Sequence, residues 1–389
     1  MAATASTSAF ARSPFRALAS LRLTVVCLGF GMLLIFLGTL AQVHSGIHAV
    51  QATYFQSLFI FWKPAGASWG IPVLPGGYLL GVVLLVNLIA AHATRFQFTK
   101  KKAGIICLHL GVILLLIGQL LTGLFARETQ MRIDEGQTLA YSEASREVEL
   151  AVIDVTNSEY DNVVAIPEKV VARGGVVQHP SLPFTVRIKR FLPNASLFMR
   201  SQVPNAPASE ATIGVGPTIV ATEQPRTIKD DERDLTAAFV EVTGVSGSLG
   251  TWLVSNAIPD PQSFTLGDRT FELIMRQRRF PKAFAITLLD FKHDQYAGTD
   301  IPKNFSSRVR LVDQERGENR EALISMNDPL RYRGFTFYQS GFDNNDTTTI
   351  LQVVRNPAML LPYIACGLVA LGLTLQFSMH LFGFVKKKR

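Results

Sequence analysis

Every aspartate and glutamate of this 389-residue chain falls between Glu128 and Asp346, and on either side the sequence is apolar with basic punctuation only. A chain divided in this way folds as membrane helices around one water-facing domain. A bilayer core of about 30 Å takes roughly 20 apolar residues of helix. Four runs meet that length: Leu21 to Val43, Val73 to Thr94, Gly104 to Phe125 and Ala358 to Phe382. Their one charged residue is Arg22, at the edge of the first. A cleaved signal peptide is the other reading of the first run, but the run exceeds the ~7–15 residues of a signal core and lacks a clear small-x-small cleavage site.

Orientation follows from the short flanking segments, because those rich in Lys and Arg stay cytoplasmic. Arg12, Arg16 and Arg22 precede the first run, Arg95 and Lys100 to Lys102 join the second to the third, and Lys386 to Arg389 close the chain. The 44–72 connection carries Lys63 alone. The expected plan is a cytoplasmic tail (1–20), a first span (21–43), an external loop (44–72), a second span (73–94), a basic cytoplasmic connection (95–103), a third span (104–125), an external domain (126–357), a fourth span (358–382) and a basic tail (383–389). Residues 3–13, rich in Ala, Ser and Thr, read as disordered. The 126–357 segment has 26 basic against 30 acidic residues, so the overall charge of +8 reports membrane topology and gives no reason to expect nucleic acid.

The external segment is β-rich. Stretches such as 147–155, 184–191, 238–242, 284–291, 308–312 and 348–354 combine Val, Ile, Thr and Phe with partial alternation and turn residues at their ends. The proline-containing stretch 204–233 reads as a long loop or as a seam between two β lobes. The fold class is therefore an α-helical membrane anchor of four transmembrane helices, three before and one after a large all-β or mainly β extracytoplasmic domain.

Cys27, Cys107 and Cys366 all lie in apolar runs, so the 126–357 domain has no thiol for disulfide exchange. No C-x-x-C-H, P-loop, G-x-S-x-G or H-E-x-x-H motif occurs, which argues against a self-sufficient enzyme. Few intramembrane polar residues (Asn87, Gln119, Thr374, Gln376) argue against a small-solute transporter.

Four ordered blocks resemble the ResB-like family of system II cytochrome c biogenesis proteins. They are Ser20-Leu-Arg-Leu through Gly38-Thr-Leu-Ala-Gln42; His109-Leu-Gly-Val through Gly118, Thr122, Gly123 and Glu135-Gly136; Leu288-Leu-Asp-Phe-Lys-His-Asp-Gln-Tyr296-Ala-Gly-Thr299 with Pro302-Lys-Asn-Phe-Ser-Ser307; and Ser325-Met-Asn-Asp-Pro329 through Tyr338-Gln-Ser340. The resemblance implies a membrane component that helps move haem b to the outer face of the plasma (inner) membrane and deliver it to apocytochrome c. Its implied partners are a polytopic cytochrome c assembly protein (CcsA/ResC type), apocytochrome c itself and a thiol-disulfide reductase of the same pathway. It implies a subunit of a synthase complex. The external Trp-rich haem-presenting motif belongs to the partner, and Trp62, Trp69 and Trp252 form no such cluster here. The alternative role is an apocytochrome chaperone or scaffold that binds no haem.

Haem iron takes axial ligands from His, Met, Cys or Tyr, and an ionisable residue inside a membrane helix marks a functional site by default. His109 lies about 8 Å into the third span. Gly104, Gly111 and Gly118 recur every seven residues as a stripe for close helix packing. At 100° per residue His109 faces roughly 160° away from Gly111, so a cofactor or a partner subunit is its expected neighbour. The cofactor reading makes His109 a haem ligand; the other reading is a neutral histidine bonded to a backbone carbonyl in a tight bundle. His92, at the end of the second span, is a second axial ligand, part of an entry site, or an interfacial residue. His380, His44, His48, His179 and His293 read as ordinary. The strand carrying Phe335 and Phe337 forms core or a platform for haem. Lys303, Arg308, Arg331 and Arg333 form a solvated face, or meet haem propionates or an acidic partner.

Overall fold

The structure is a computed structural model that describes residues 17–64, 69–95, 99, 102–228, 232–298, 302–343 and 347–388. The expected disordered tail, Arg12, Arg16, Lys100, Lys101 and Arg389 lie outside them. Two compact units emerge, one of helices (1–127, 228–230 and 355–389) and one of strands (128–227 and 231–354).

The helical unit holds four helices long and apolar enough to cross a membrane among the described residues. They are α1 (Leu21–Val50), α2 (Gly77–Arg95), α3 (Ala103–Phe125) and, after the strands, α5 (Leu361–Lys388). The three-plus-one order expected from the apolar runs is the order observed. Large side chains such as Leu21, Val25, Phe377 and Phe382 stay more than half exposed, a surface suited to lipid and not to water. Ser20 caps α1 by accepting from Arg22 N–H at 3.2 Å. The buried amide of Asn87 in α2 closes on that same end, donating to Leu18 O at 2.5 Å and accepting from Thr24 Oγ1 at 2.7 Å. Asn87 is thereby satisfied as a tie between α1 and α2.

The expected glycine stripe packs α3 against α5. A Cβ on Gly104 would lie 2.8 Å from Gly372 O, and one on Gly111 2.8 Å from Ala365 O. Helix α1 runs past the expected Val43 end. It breaks at Gly46, whose φ is +74°, and turns through a π-helical stretch, Gln51–Phe55. A ribbon of β1 (Phe59–Trp62) and β2 (Ile71–Pro75) follows, with Trp62 and Trp69 exposed.

The second unit is built on two long strands, β4 (Thr138–Asp154) and β13 (Arg269–Gln295). Each passes through two apolar cores, which answers the question of one lobe or two. In the first core their Val148–Asp154 and Phe271–Gln277 halves, with β5 (Asn162–Pro167), a short helix α4 (Glu168–Arg173) and β12 (Gln262–Leu266), face a four-stranded sheet. That sheet runs in the order β11 (Gly247–Ser255), β10 (Ala237–Gly244), β7 (Thr185–Leu192), β6 (Gly175–Val177). Trp252 sits in this core, 1% exposed. The second core lies inside the curl of β3 (Arg127–Asp134), β14 (Pro302–Asp313), β15 (Glu318–Ser325), β16 (Leu330–Tyr332), β17 (Phe335–Asp343) and β18 (Thr348–Arg355), around the other halves of β4 and β13. All six strand stretches expected from composition lie in or overlap observed strands.

The seam between the lobes is therefore the β4–β13 pair and not residues 204–233. Its register breaks between Gln277 and Arg279 and again after Pro281, where a residue without an N–H costs no ladder bond. Arg276 bonds Glu149 at 3.0 Å on one side of the break and Arg279 bonds Glu143 at 3.0 Å on the other. Residues 204–218 instead join β8 (Ala195–Met199) to β9 (Ile219–Glu223) and fold back on Ala211.

The aromatic strand β17 proves to be core. Phe337 is fully buried, and it packs with Tyr332 and Phe335 edge-on around Phe284. Arg333 is likewise structural, pairing with Asp313 at 3.3 Å and Glu315 at 2.6 Å. Tyr332 donates its hydroxyl to the buried Asp313 carboxylate at 2.7 Å.

Burial pushes the Asp313 carboxyl up, but the Tyr332 hydroxyl, the Arg316 N–H and Arg333 outweigh it and leave it below the usual carboxylate range. Burial, with the Asp313 and Glu318 carboxylates, pushes Tyr332 up to about 12. A lowered carboxyl stabilises the fold above the ordinary carboxylate range and is lost as pH falls through it. A raised phenol stabilises it below about 10 and is lost as pH rises toward 12. Tyr332→Phe should therefore flatten the alkaline limb of a pH–stability curve of the protein followed by near-ultraviolet circular dichroism. An unchanged limb would rule out this role for the pair.

Candidate functional site

Helices α2 and α3 form a hairpin, with His92 three residues before the end of one and His109 six after the start of the other. At 1.5 Å per residue both lie roughly 5–9 Å from the connection, so the antiparallel packing brings them level. His109 Nδ1 meets His92 Nε2 at 3.1 Å, and the two rings stand edge to face at 87° with centroids 4.8 Å apart. The neighbour of His109 is therefore a residue of this chain. Facing away from the glycine stripe turns it toward α2, on the side of α3 opposite α5.

The partners assign the tautomers. His92 Nδ1 lies 2.9 Å from the backbone carbonyl of Leu88. A carbonyl only accepts, so that nitrogen carries hydrogen. In the neutral ring His92 Nε2 is then an acceptor, and His109 Nδ1–H donates to it. His109 Nε2 is left as the unprotonated nitrogen, the form in which imidazole binds a metal. One ring fixing the other through its second nitrogen is the arrangement that orients metal-bound histidines generally.

The pair suits haem iron better than a bare ion. No group of three or more His, Cys, Asp or Glu side chains is placed to hold a metal among the described residues, whereas a closed ion site takes three or four protein ligands. A porphyrin brings four nitrogens of its own, so one imidazole suffices. The 3.1 Å gap is shorter than the ~4 Å spanned by two metal–imidazole bonds of about 2.0 Å each. In this arrangement His109 is the candidate ligand and His92 its orienting neighbour.

The remaining histidines stay apart from this pair. His380 bonds Gln376 one turn back on α5 at 2.8 Å. The Gly46 break falls between His44 and His48, which removes the shared helix face that their spacing offers. His179 accepts from Ser181 N–H in an exposed turn, and His293 packs against Phe305 and Phe342. Sequence reasoning singled out both hairpin residues and missed their bond. The signal was present in their similar distances from a shared connection.

Comparison with known proteins bears out the resemblance read from the four blocks. The ResB-like family profile matches residues 242–350, from the end of β10 into β18. Protein NrfI of Wolinella succinogenes is 23% identical over 295 residues, which is 76% of this chain and 29% of that protein. The cytochrome c biogenesis protein CcsB of Synechococcus elongatus is 33% identical over 94 residues, 24% of this chain and 20% of that protein. The chain thus spans less than a third of the length of the curated relatives it matches.

Proposed function

We propose that this chain, ResB-like over residues 242–350, is a membrane component of cytochrome c biogenesis that receives haem at His109 and helps pass it outward to apocytochrome c. The observation that carries this reading is the His92–His109 hydrogen bond inside an apolar helical hairpin. It supplies an oriented imidazole where lipid offers no other ligand. The family match and the name of the CcsB relative support the pathway. The Lys and Arg bias supports a cytoplasmic placement of both termini and of the 95–103 connection, with the β unit outside. On that orientation the pair lies in the inner leaflet, where haem b enters as cargo.

His109 binds the iron through Nε2, and His92 holds the ring in place and keeps its Nδ1 protonated. A polytopic assembly-type partner completes the coordination and presents haem on the outer face. The β unit offers apocytochrome c a surface without thiols, so reduction of the apocytochrome cysteines falls to a separate thiol-disulfide reductase. His92→Ala should weaken haem binding about 10–100-fold, the usual cost of removing an orienting partner, while keeping a His-ligated spectrum. Haem titration of the detergent-purified protein followed in the visible range measures this. Equal affinity for wild type and His92→Ala would remove His92 from the site.

A further inference from the structure

Helices α1, α2 and α3 and the π-helical stretch line a cavity of about 610 Å³ at the end of the α2–α3 hairpin away from the histidine pair. The chain's local geometry builds it. After the Gly46 break the π-helical stretch folds back, and Gly38 admits the Phe55 ring, which lies 3.1 Å from where its Cβ would be. Tyr78 is laid against α3, its hydroxyl in the space that a Cβ on Gly123 would take. Leu116 and Gln119 line the cavity, seven and ten residues beyond His109 and so about 10–15 Å further along α3. This is a separate site from the histidine pair.

Its chemistry is specific. The walls are mostly apolar, yet Gln42, Gln51, Gln56, Gln119 and Tyr78 all reach it, from α1, the π-helical stretch, α2 and α3. Among the described residues, none of these five side chains is tied into a hydrogen bond within the chain. Among the described residues, no Asp, Glu, Lys, Arg or His lines the cavity. A phospholipid headgroup would bring a phosphate with no cation to meet it. Haem would bring two carboxylates and an iron with no imidazole. Amide N–H and phenol O–H donors around an uncharged apolar hollow match a neutral ring bearing carbonyl oxygens, and the membrane-facing walls match an apolar tail.

We propose that this cavity binds a lipid-soluble quinone, its carbonyl oxygens accepting from Tyr78 and the glutamine amides. The proposal does not rest on haem binding. Detergent-purified full-length protein, titrated with a decyl-tailed benzoquinone by calorimetry, should bind one equivalent saturably. Tyr78→Phe and Gln119→Leu should each weaken binding about two- to tenfold, the range for one neutral hydrogen bond. Gly81 lines the cavity and a Cβ there meets nothing within 4 Å, so Gly81→Leu should fill the hollow and abolish binding without a clash. Gln376→Leu, on α5, should leave binding unchanged. Mass spectrometry of the organic extract separates the lipid sources. Quinone in the wild-type extract, depleted in Gly81→Leu, supports the site. Absence of saturable binding, binding indifferent to all three cavity variants, or extraction of a phospholipid that the quinone does not displace would overturn it.

Discussion

His109→Ala is expected to lower the yield of mature c-type cytochrome at least tenfold in cells that depend on this chain, with the protein still accumulating in the membrane. The expectation follows from the tautomer assignment. Leu88 O holds hydrogen on His92 Nδ1, His92 Nε2 then accepts from His109, and the ligating lone pair falls at His109 Nε2. Alanine removes that nitrogen and leaves space beside His92. Exogenous imidazole can enter the space and take up the same hydrogen bond, so it should restore part of the yield. Rescue of this kind is not expected of a variant that merely loosens the hairpin. Normal maturation in His109→Ala, measured by haem-stained cytochrome content, would remove His109 from the pathway.

The second large effect is structural. Gly111→Leu should destabilise the helical unit by about 1–3 kcal/mol or more, the cost of forcing methylenes into a filled interface. A Cβ at this position lies 2.7 Å from Val369 Cγ2 and 2.8 Å from Ala365 O. The second contact is backbone and cannot move aside without parting α3 from α5. Gly29 supplies the control, because a Cβ there meets nothing within 4 Å. Gly29→Leu should be close to neutral in the same detergent melting experiment. Equal melting temperatures for the two variants would show that the glycine stripe is not the packing surface of α3.

Much of this architecture was legible in the sequence because it follows from bulk solvation. Apolar runs of membrane length became the four helices, and β-branched and aromatic stretches became strands. What the sequence left open depended on partners distant along the chain. The heptad of Gly104, Gly111 and Gly118 announced a close contact without naming α5 as its partner. The rotation of His109 away from that stripe was read correctly, but its neighbour within the chain, His92 on α2, was not foreseen. Alternation around Phe337 looks the same for a buried strand and an exposed platform, and only the curl of the second lobe decided for core. Arg333 read as a surface cation because Asp313, 20 residues away, gives no sequence sign of being buried beside it. The two lobes were hidden for a related reason: β4 and β13 each serve both cores, so no break in composition marks the seam.

The central claim is that an imidazole of this chain meets haem iron through His109. The most direct test is the visible spectrum of the detergent-purified protein, alone and co-expressed with a polytopic assembly-type partner, for wild type and His109→Ala. A haem band present in wild type and lost or shifted in the variant is the predicted result. A colourless wild type in both preparations would contradict it and leave the chain as an apocytochrome scaffold that binds no haem.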